Sequence, residues 1–458
     1  MRSISKDGIC TMNLNLDDLH ASVTDPALNS MNFLNEVAER YPQAISLAAG
    51  RPHEDLFELE TVHRAISIFT RYLADECQMS EEKVRRTIFQ YGPTAGIIQG
   101  LISEHLATDE DLQVDPHAIV ITSGCQEAIL LTLRALCRDP GDVLLAINPT
   151  YVGLTGAARL LNIDIAAVAT DATGVDFADF KTVVAGLRAQ GRKPKACYVM
   201  PDFANPSGAS MSLETRQALL AFAADEELFL IEDNPYGYFH GDDIRLPTLK
   251  ALDKTRQVVY LGSFSKTIFP GARVGFVVAD QLIEPAGAAG LLADQIAKVK
   301  SMVTVNTSPI VQAIIGGQLI EHRLSLSTAT RDLRGIYERN RIAVLAALAE
   351  KLGVHDLPVS WNTPSGGFFL VLTVPFAADE AALAQCAQEF GVIWTPMTHF
   401  YLGKGGANQL RLSISALNLE QIEEGVERLS RFIRMKCDRE LNAARISKRI
   451  RDGSTVSG

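Results

Sequence analysis

GSFSKTIFPGARVGF, residues 262–276, is the stretch on which the reading of this chain turns. It continues QVVYL, an apolar, β-branched run that reads as a strand. Lys266 sits between the small hydroxylated residues Ser263 and Ser265 and Thr267, and Arg273 follows seven positions later. A lysine desolvated at a strand end beside another cation has a lowered amine pKa and becomes a nucleophile towards carbonyls. The bland alternative is a lysine snorkelling at a domain edge. The neighbours weigh against it, because two hydroxyls and a guanidinium suit an anionic phosphate better than a packing role.

Outward from this stretch the chain alternates. HAIVITSG, DVLLAINP, DIAAVATD, KACYVMPD, LFLIEDNP, QVVYLGSF and RVGFVVAD are short β-rich runs, and segments of helical period lie between several of them. The pattern predicts an α/β domain with a mixed, mostly parallel sheet and helices on both faces. Ligands of such sheets bind beyond the carboxyl ends of the strands, where Asp233, Lys266 and the Gly124-Cys125-Gln126 step lie. From about residue 330 a long helical stretch, then GGFFLVLTV, VIWTP and QLRLSISA, read as a smaller α+β domain. The expected organisation is a segment 1–60 packing with the small domain, a large domain 61–325, a small domain 326–433 and a basic polar tail 434–458 that frays.

Bulk properties set limits on function. With 458 residues the chain is too long for one compact core. A net charge of -11 argues against nucleic-acid binding. Hydrophobic content of 47% with no unbroken apolar run of membrane length describes a globular protein. Seven scattered cysteines without a C-x-x-C pair fit free thiols in a cytoplasmic setting, and no Cys/His cluster has metal-ligand spacing.

A carbonyl compound bearing a phosphate points to pyridoxal 5'-phosphate, and that cofactor makes further demands. Its ring nitrogen needs an acid, and Asp233 stands at a strand end with Glu232 on the opposite face. Its phosphate needs a cup, and the N–H groups of Cys125 and Gln126 open a helix towards an anion. Asn205 in DFANPSG and Tyr236 in DNPYGYF are candidates for its 3'-oxygen, although Asn-Pro is also a turn signal. Tyr151 in NPTYVG would stack on the ring, with core packing as the alternative. Arg411 in QLRLSIS is a charge inside an apolar strand, costly unless paired, and suits a substrate α-carboxylate.

Together these motifs resemble the fold type I pyridoxal-phosphate enzymes of the class I/II aminotransferase family, over roughly residues 30–433. The likeness is greatest to kynurenine/2-aminoadipate aminotransferases and the aminotransferase domains of MocR-type regulators. The resemblance implies a Schiff-base lysine and proton shuttle at Lys266, a ring-nitrogen partner at Asp233 and a ring-stacking Tyr151. It implies 3'-oxygen donors at Asn205 and Tyr236, and phosphate contacts from Cys125, Gln126, Ser263, Ser265 and Arg273. Arg411 would grip the substrate, with Asn205 beside it. Tyr91 in FQYGPTAG would reach the phosphate of a neighbouring subunit, so a homodimer is implied. Cys125 departs from the Ser or Ala common at its position. In SLAAGRPHEDLFE, Arg51 replaces an apolar residue beside the substrate and is expected to face a polar or anionic group, with His53 assisting. The segment VTDPALNSMNFLNEVAERYPQAISLAAGRP is similar, more loosely, to dihydroxyphenylglycine transaminases of secondary metabolism.

The implied activity is ping-pong transfer of an amino group between an L-amino acid and a 2-oxo acid. Two alternatives stay open at this point. One is elimination, replacement or carbon–carbon bond formation by the same fold, S-adenosylmethionine being one candidate substrate. The other is a non-catalytic amino-acid-sensing domain.

Overall fold

The computed structural model describes residues 2–4, 10–12, 14–241, 245–284, 290–353 and 357–453. The seven β-rich runs are the seven strands of one sheet: β1 (Ile119–Thr122), β2 (Asp142–Ile147), β3 (Asp164–Val168), β4 (Lys193–Val199), β5 (Phe229–Asp233), β6 (Val258–Ser263) and β7 (Gly275–Val278). Their spatial order is β1-β7-β6-β5-β4-β2-β3. Strands β2 to β6 pair in parallel, and β7 alone runs against its neighbours β1 and β6. The strands are continuously apolar because helices cover both faces. Val120, Leu144, Ile231, Val259 and Val277 pack into one helical layer, whereas Ile119, Leu145, Leu230, Val258 and Val278 pack into the other.

This topology brings the informative loops to one edge. The loops after β1, β2, β4, β5 and β6 all leave the sheet at its carboxyl end, and antiparallel β7 begins there. Helix α1 (Leu59–Asp75) precedes the sheet, and helix α2 (Cys125–Leu136) starts directly after the β1 turn, where Gly124 at φ 81° takes a backbone conformation that a side chain disfavours. A Cβ on Gly124 would also stand 2.4 Å from Nη2 of Arg273. Helix α3 (Val152–Leu160) starts after the β2 turn with Tyr151 as its N-cap residue.

A second, antiparallel sheet has the order β8-β9-β11-β10, built from Ser360–Trp361, Phe369–Thr373, Thr395–Pro396 and Gln409–Ser413 in chain order. The segment before the large sheet joins this region. Its strand Ile45–Ser46 pairs in parallel with Val392–Ile393, and Phe33, Val37 and Leu47 share a core with Leu370, Leu410 and Leu412. The last helix runs from Leu419 to Gly453, and Ile433 and Cys437, one turn apart, are both fully buried. Packing therefore continues past residue 433, because the apolar stripe extends one more turn. The final five residues of the tail lie outside the described residues.

Candidate active site

A cavity opens at the carboxyl edge of the large sheet, closed on its far side by β9, β11 and the segment Ala48–Arg51. Twelve of the fourteen residues singled out in the sequence line it: Arg51, Cys125, Gln126, Tyr151, Asn205, Asp233, Tyr236, Ser263, Ser265, Lys266, Arg273 and Arg411. Tyr91 does not; it is 84% exposed on the outer surface. His53 is also apart from the cavity, buried with its backbone N–H donating to the Tyr337 hydroxyl at 3.0 Å.

Lys266 follows β6 and is enclosed. Nζ donates to the Gly50 carbonyl at 2.8 Å. Burial, then the charges of Arg273, Arg411 and Arg51, lower its pKa to about 8. An amine so placed is a proton acceptor near neutral pH, where an ordinary lysine is not.

Asp233 ends β5 and is 2% exposed. Tyr198 donates to Oδ2 at 2.5 Å and the Cys125 thiol to Oδ1 at 3.2 Å. Burial raises its pKa to about 6 against the opposing pull of these two donors. Glu232, one residue earlier, points to the other side of the sheet and accepts from the N–H groups of Leu249 and Lys250, both at 2.8 Å.

Arg411, on β11, is 3% exposed. Nη1 donates to Asn205 Oδ1 at 2.6 Å and Nη2 to the Ala48 carbonyl at 3.0 Å, while the guanidinium stacks 4.3 Å from the ring centre of Phe369. Its buried Nε has no partner, and burial draws its pKa down to about 10. Arg273 donates to Ser265 Oγ at 3.2 Å, and the Ser265 N–H donates to Ser263 Oγ at 3.3 Å. The first turn of α2 has no side-chain cap, so the N–H groups of Cys125 and Gln126 face the cavity unclaimed by the helix.

The donor set fits pyridoxal phosphate. Four cations (Lys266, Arg273, Arg411 and Arg51) share the cavity with one carboxylate, Asp233. That imbalance suits a phosphate and a substrate carboxylate. Gln126 Oε1 and Arg411 Nε, from two residues that line the cavity, are buried without partners.

Sequence reasoning missed Tyr198, Phe369 and Thr395, the last accepting from Arg411 at 3.3 Å. Strand parity could have found Tyr198. It lies opposite Ile231 on the neighbouring parallel strand, and Ile231 and Asp233 point the same way. Phe369 and Thr395 come from distant segments that only the tertiary fold brings to Arg411.

Residues 46–429 match the family model described as aminotransferase class I and II. The (S)-3,5-dihydroxyphenylglycine transaminase of Amycolatopsis orientalis is 51% identical over 92% of this chain and 94% of its own length. The 2-aminoadipate transaminase of Thermus thermophilus is 29% identical over 86% of this chain and 91% of its own. The solved kynurenine aminotransferase of Pyrococcus horikoshii superimposes with a TM-score of 0.76 at 27% identity, covering 90% of this chain and 97% of that one. That neighbour was solved in complex with PMP, with kynurenine as substrate. The chain belongs to the class I and II aminotransferases, and it is a pyridoxal-phosphate-dependent aminotransferase of fold type I.

Proposed function

We propose that this aminotransferase acts on an L-arylglycine carrying polar ring substituents, paired with a 2-oxo acid in a ping-pong cycle. The observation that carries the reading is the 51% identity to a dihydroxyphenylglycine transaminase over nearly the whole of both chains. The cavity supports it. Met31, Leu34 and Phe369 offer apolar walls for a ring, and Arg51 stands among them as a partner for a hydroxyl or carboxylate.

Bound pyridoxal phosphate supplies a carbonyl that joins an amine and an electron sink for the bond broken at the substrate Cα. Cys125, Gln126, Ser263, Ser265 and Arg273 would hold its phosphate, Tyr151 its ring face, and Asn205 and Tyr236 its 3'-oxygen. Lys266 would anchor it, and its Nζ would be the group that holds and moves the proton of the substrate Cα. Asp233 would be the partner of the ring nitrogen. Arg411 orients the α-carboxylate, so that the Cα–H bond faces Lys266 and not the wall. This orientation converts a tight site into a productive one.

The same reading includes a homodimer. Phe89, Tyr91, Met302 and Val305 are 50% exposed or more, and Gly92 and Asn306 bring these two segments side by side. An exposed apolar face of this kind is an association surface, and it would carry Tyr91 to the phosphate cup of a second subunit. Among the described residues no helix is long and apolar enough to cross a membrane. Unpaired Cys125, Cys137, Cys197, Cys386 and Cys437 support a cytoplasmic, reducing location.

The test is to add candidate donors one at a time to the holoenzyme and follow cofactor absorbance, with mass spectrometry of the oxo acids. Dihydroxyphenylglycine and hydroxyphenylglycine should be consumed faster than 2-aminoadipate or kynurenine. Turnover of 2-aminoadipate alone would overturn the arylglycine assignment. Arg51→Leu should raise KM for the hydroxylated donor or the diacid acceptor by about 10–100-fold with little change for unsubstituted phenylglycine. An equal loss for all of them would remove Arg51 from substrate recognition.

A further inference from the structure

Cys125 has two faces towards the site. Its backbone N–H opens the first turn of α2, but its thiol turns away from that cup and donates to Oδ1 of Asp233 at 3.2 Å. The other carboxylate oxygen accepts from the Tyr198 hydroxyl at 2.5 Å. Each oxygen of a buried carboxylate is thus held by one neutral donor, and the two donors come from different elements, α2 and β4. The backbone that carries the thiol is held in place. Gly124 takes a positive φ just before it, and a Cβ at Gly275 would stand 2.8 Å from the Cys125 nitrogen, so the backbone is clamped on both sides.

We propose that Cys125 is a positioning residue for the ring chemistry: its thiol, together with the Tyr198 hydroxyl, orients Asp233 and sets how firmly that carboxylate holds a proton on the cofactor's ring nitrogen.

The physical argument concerns donor strength. A hydrogen bond to a carboxylate favours its ionised form, and an ionised partner keeps a pyridine nitrogen protonated. A charged donor would bind Asp233 so strongly that little basicity remained for the ring. A thiol is a weak donor and a hydroxyl a moderate one, so together they counter the cost of burial without neutralising the carboxylate. The other groups facing Asp233 do not substitute for them. Tyr151 and Tyr236 are neutral, their own ionisation opposed by burial and by the Asp233 charge. Arg273 faces the Cys125 side and binds Ser265, and Lys266 reaches across to Gly50. The thiol itself stays protonated, because burial and then the Asp233 charge push its pKa far up. It is therefore a donor at every working pH and not a nucleophile.

This inference rests on Asp233 as the ring-nitrogen partner, and the experiment separates the two ideas. The cofactor's absorbance is titrated against pH in the holoenzyme and in Cys125→Ala, Cys125→Ser, Tyr198→Phe and Asp233→Asn. Loss of one donor lets Asp233 take the ring proton. A less positive ring withdraws less from the Lys266 nitrogen, so the spectral midpoint rises. One hydrogen bond of ordinary net strength corresponds to about 0.5–1 pH unit. Cys125→Ala and Tyr198→Phe should each show that rise, and Cys125→Ser should fall between Cys125→Ala and wild type. If Asp233→Asn leaves the midpoint in place, the ring role of Asp233 fails. If Asp233→Asn moves it and Cys125→Ala does not, or if Cys125→Ser equals Cys125→Ala, the thiol role alone fails. A readout free of cofactor stands beside these. In the infrared difference spectrum of the apoprotein, wild type minus Cys125→Ala, the S–H stretch should lie below that of a free thiol and move back in Asp233→Asn. A free-thiol band that ignores Asp233→Asn overturns the hydrogen bond on which the proposal stands.

Discussion

The two faces of β5 carry neighbouring buried carboxylates with opposite company. On the back face, Glu232 accepts two backbone N–H groups at 2.8 Å. Lys250 beside it donates to Asp280 at 2.6 Å and to the Val258 carbonyl at 3.0 Å. Lys250 and Asp280 close on one another, and Glu232 is held by the backbone. On the cavity face, Asp233 has only neutral donors, while Lys266 donates to the Gly50 carbonyl, Arg273 to Ser265, and Arg411 to Asn205 and the Ala48 carbonyl. The back face is balanced and serves the fold; the cavity face is unbalanced, and the imbalance describes what must bind there. Buried charge of the second kind is costly to folding and is retained for what it does to a ligand.

The comparison can be broken by mutation. Lys266→Ala should lower kcat by about 10³-fold or more, since both the anchor and the proton shuttle are lost. The apoprotein should melt no lower than wild type, because an uncompensated buried amine has gone. A clear loss of thermal stability would place Lys266 with the back-face charges. Arg411→Lys removes the fork that meets a carboxylate with two bonds. The expected loss in kcat/KM is roughly 100-fold, mostly in KM, measured with a substrate whose side chain is unchanged. Lys250→Ala should do the reverse, lowering stability by about 3 kcal/mol by stranding Asp280 and Asp253, with kcat per folded molecule unchanged. Urea melts beside active-site titration would show it. The smallest effect sharpens the contrast. Lys266 in the apoprotein should become reactive towards amine-directed reagents as pH rises through about 8, where an exposed lysine waits for about 10.5. The sign follows from burial and the three arginines, which disfavour the charged amine. A labelling midpoint near that of surface lysines would mean that the cations do not act together.

Much of this arrangement could be read from the chain because it is local. All seven strands of the large sheet were visible as short β-rich runs, most of them ending in turn residues, and their carboxyl ends named Asp233, Lys266 and Cys125. Strand order was not visible, nor was the reversal of β7, since both depend on which apolar faces meet in three dimensions. Arg411 could be suspected from its apolar neighbours. Its stacking on Phe369 and its bonds to Asn205 and Ala48 could not, because those partners lie 42, 206 and 363 positions away. Tyr198 was hidden for another reason: a tyrosine in a β-run reads as core, and only its parity with Ile231 separates it from one.

The two cations that would meet substrate and cofactor are held by carbonyls of one short segment, Ala48 for Arg411 and Gly50 for Lys266. That segment therefore acts as a tethered competitor. A ligand that took either cation from its carbonyl would do so against a partner already at high effective concentration, and it would free part of the backbone that leads into the site.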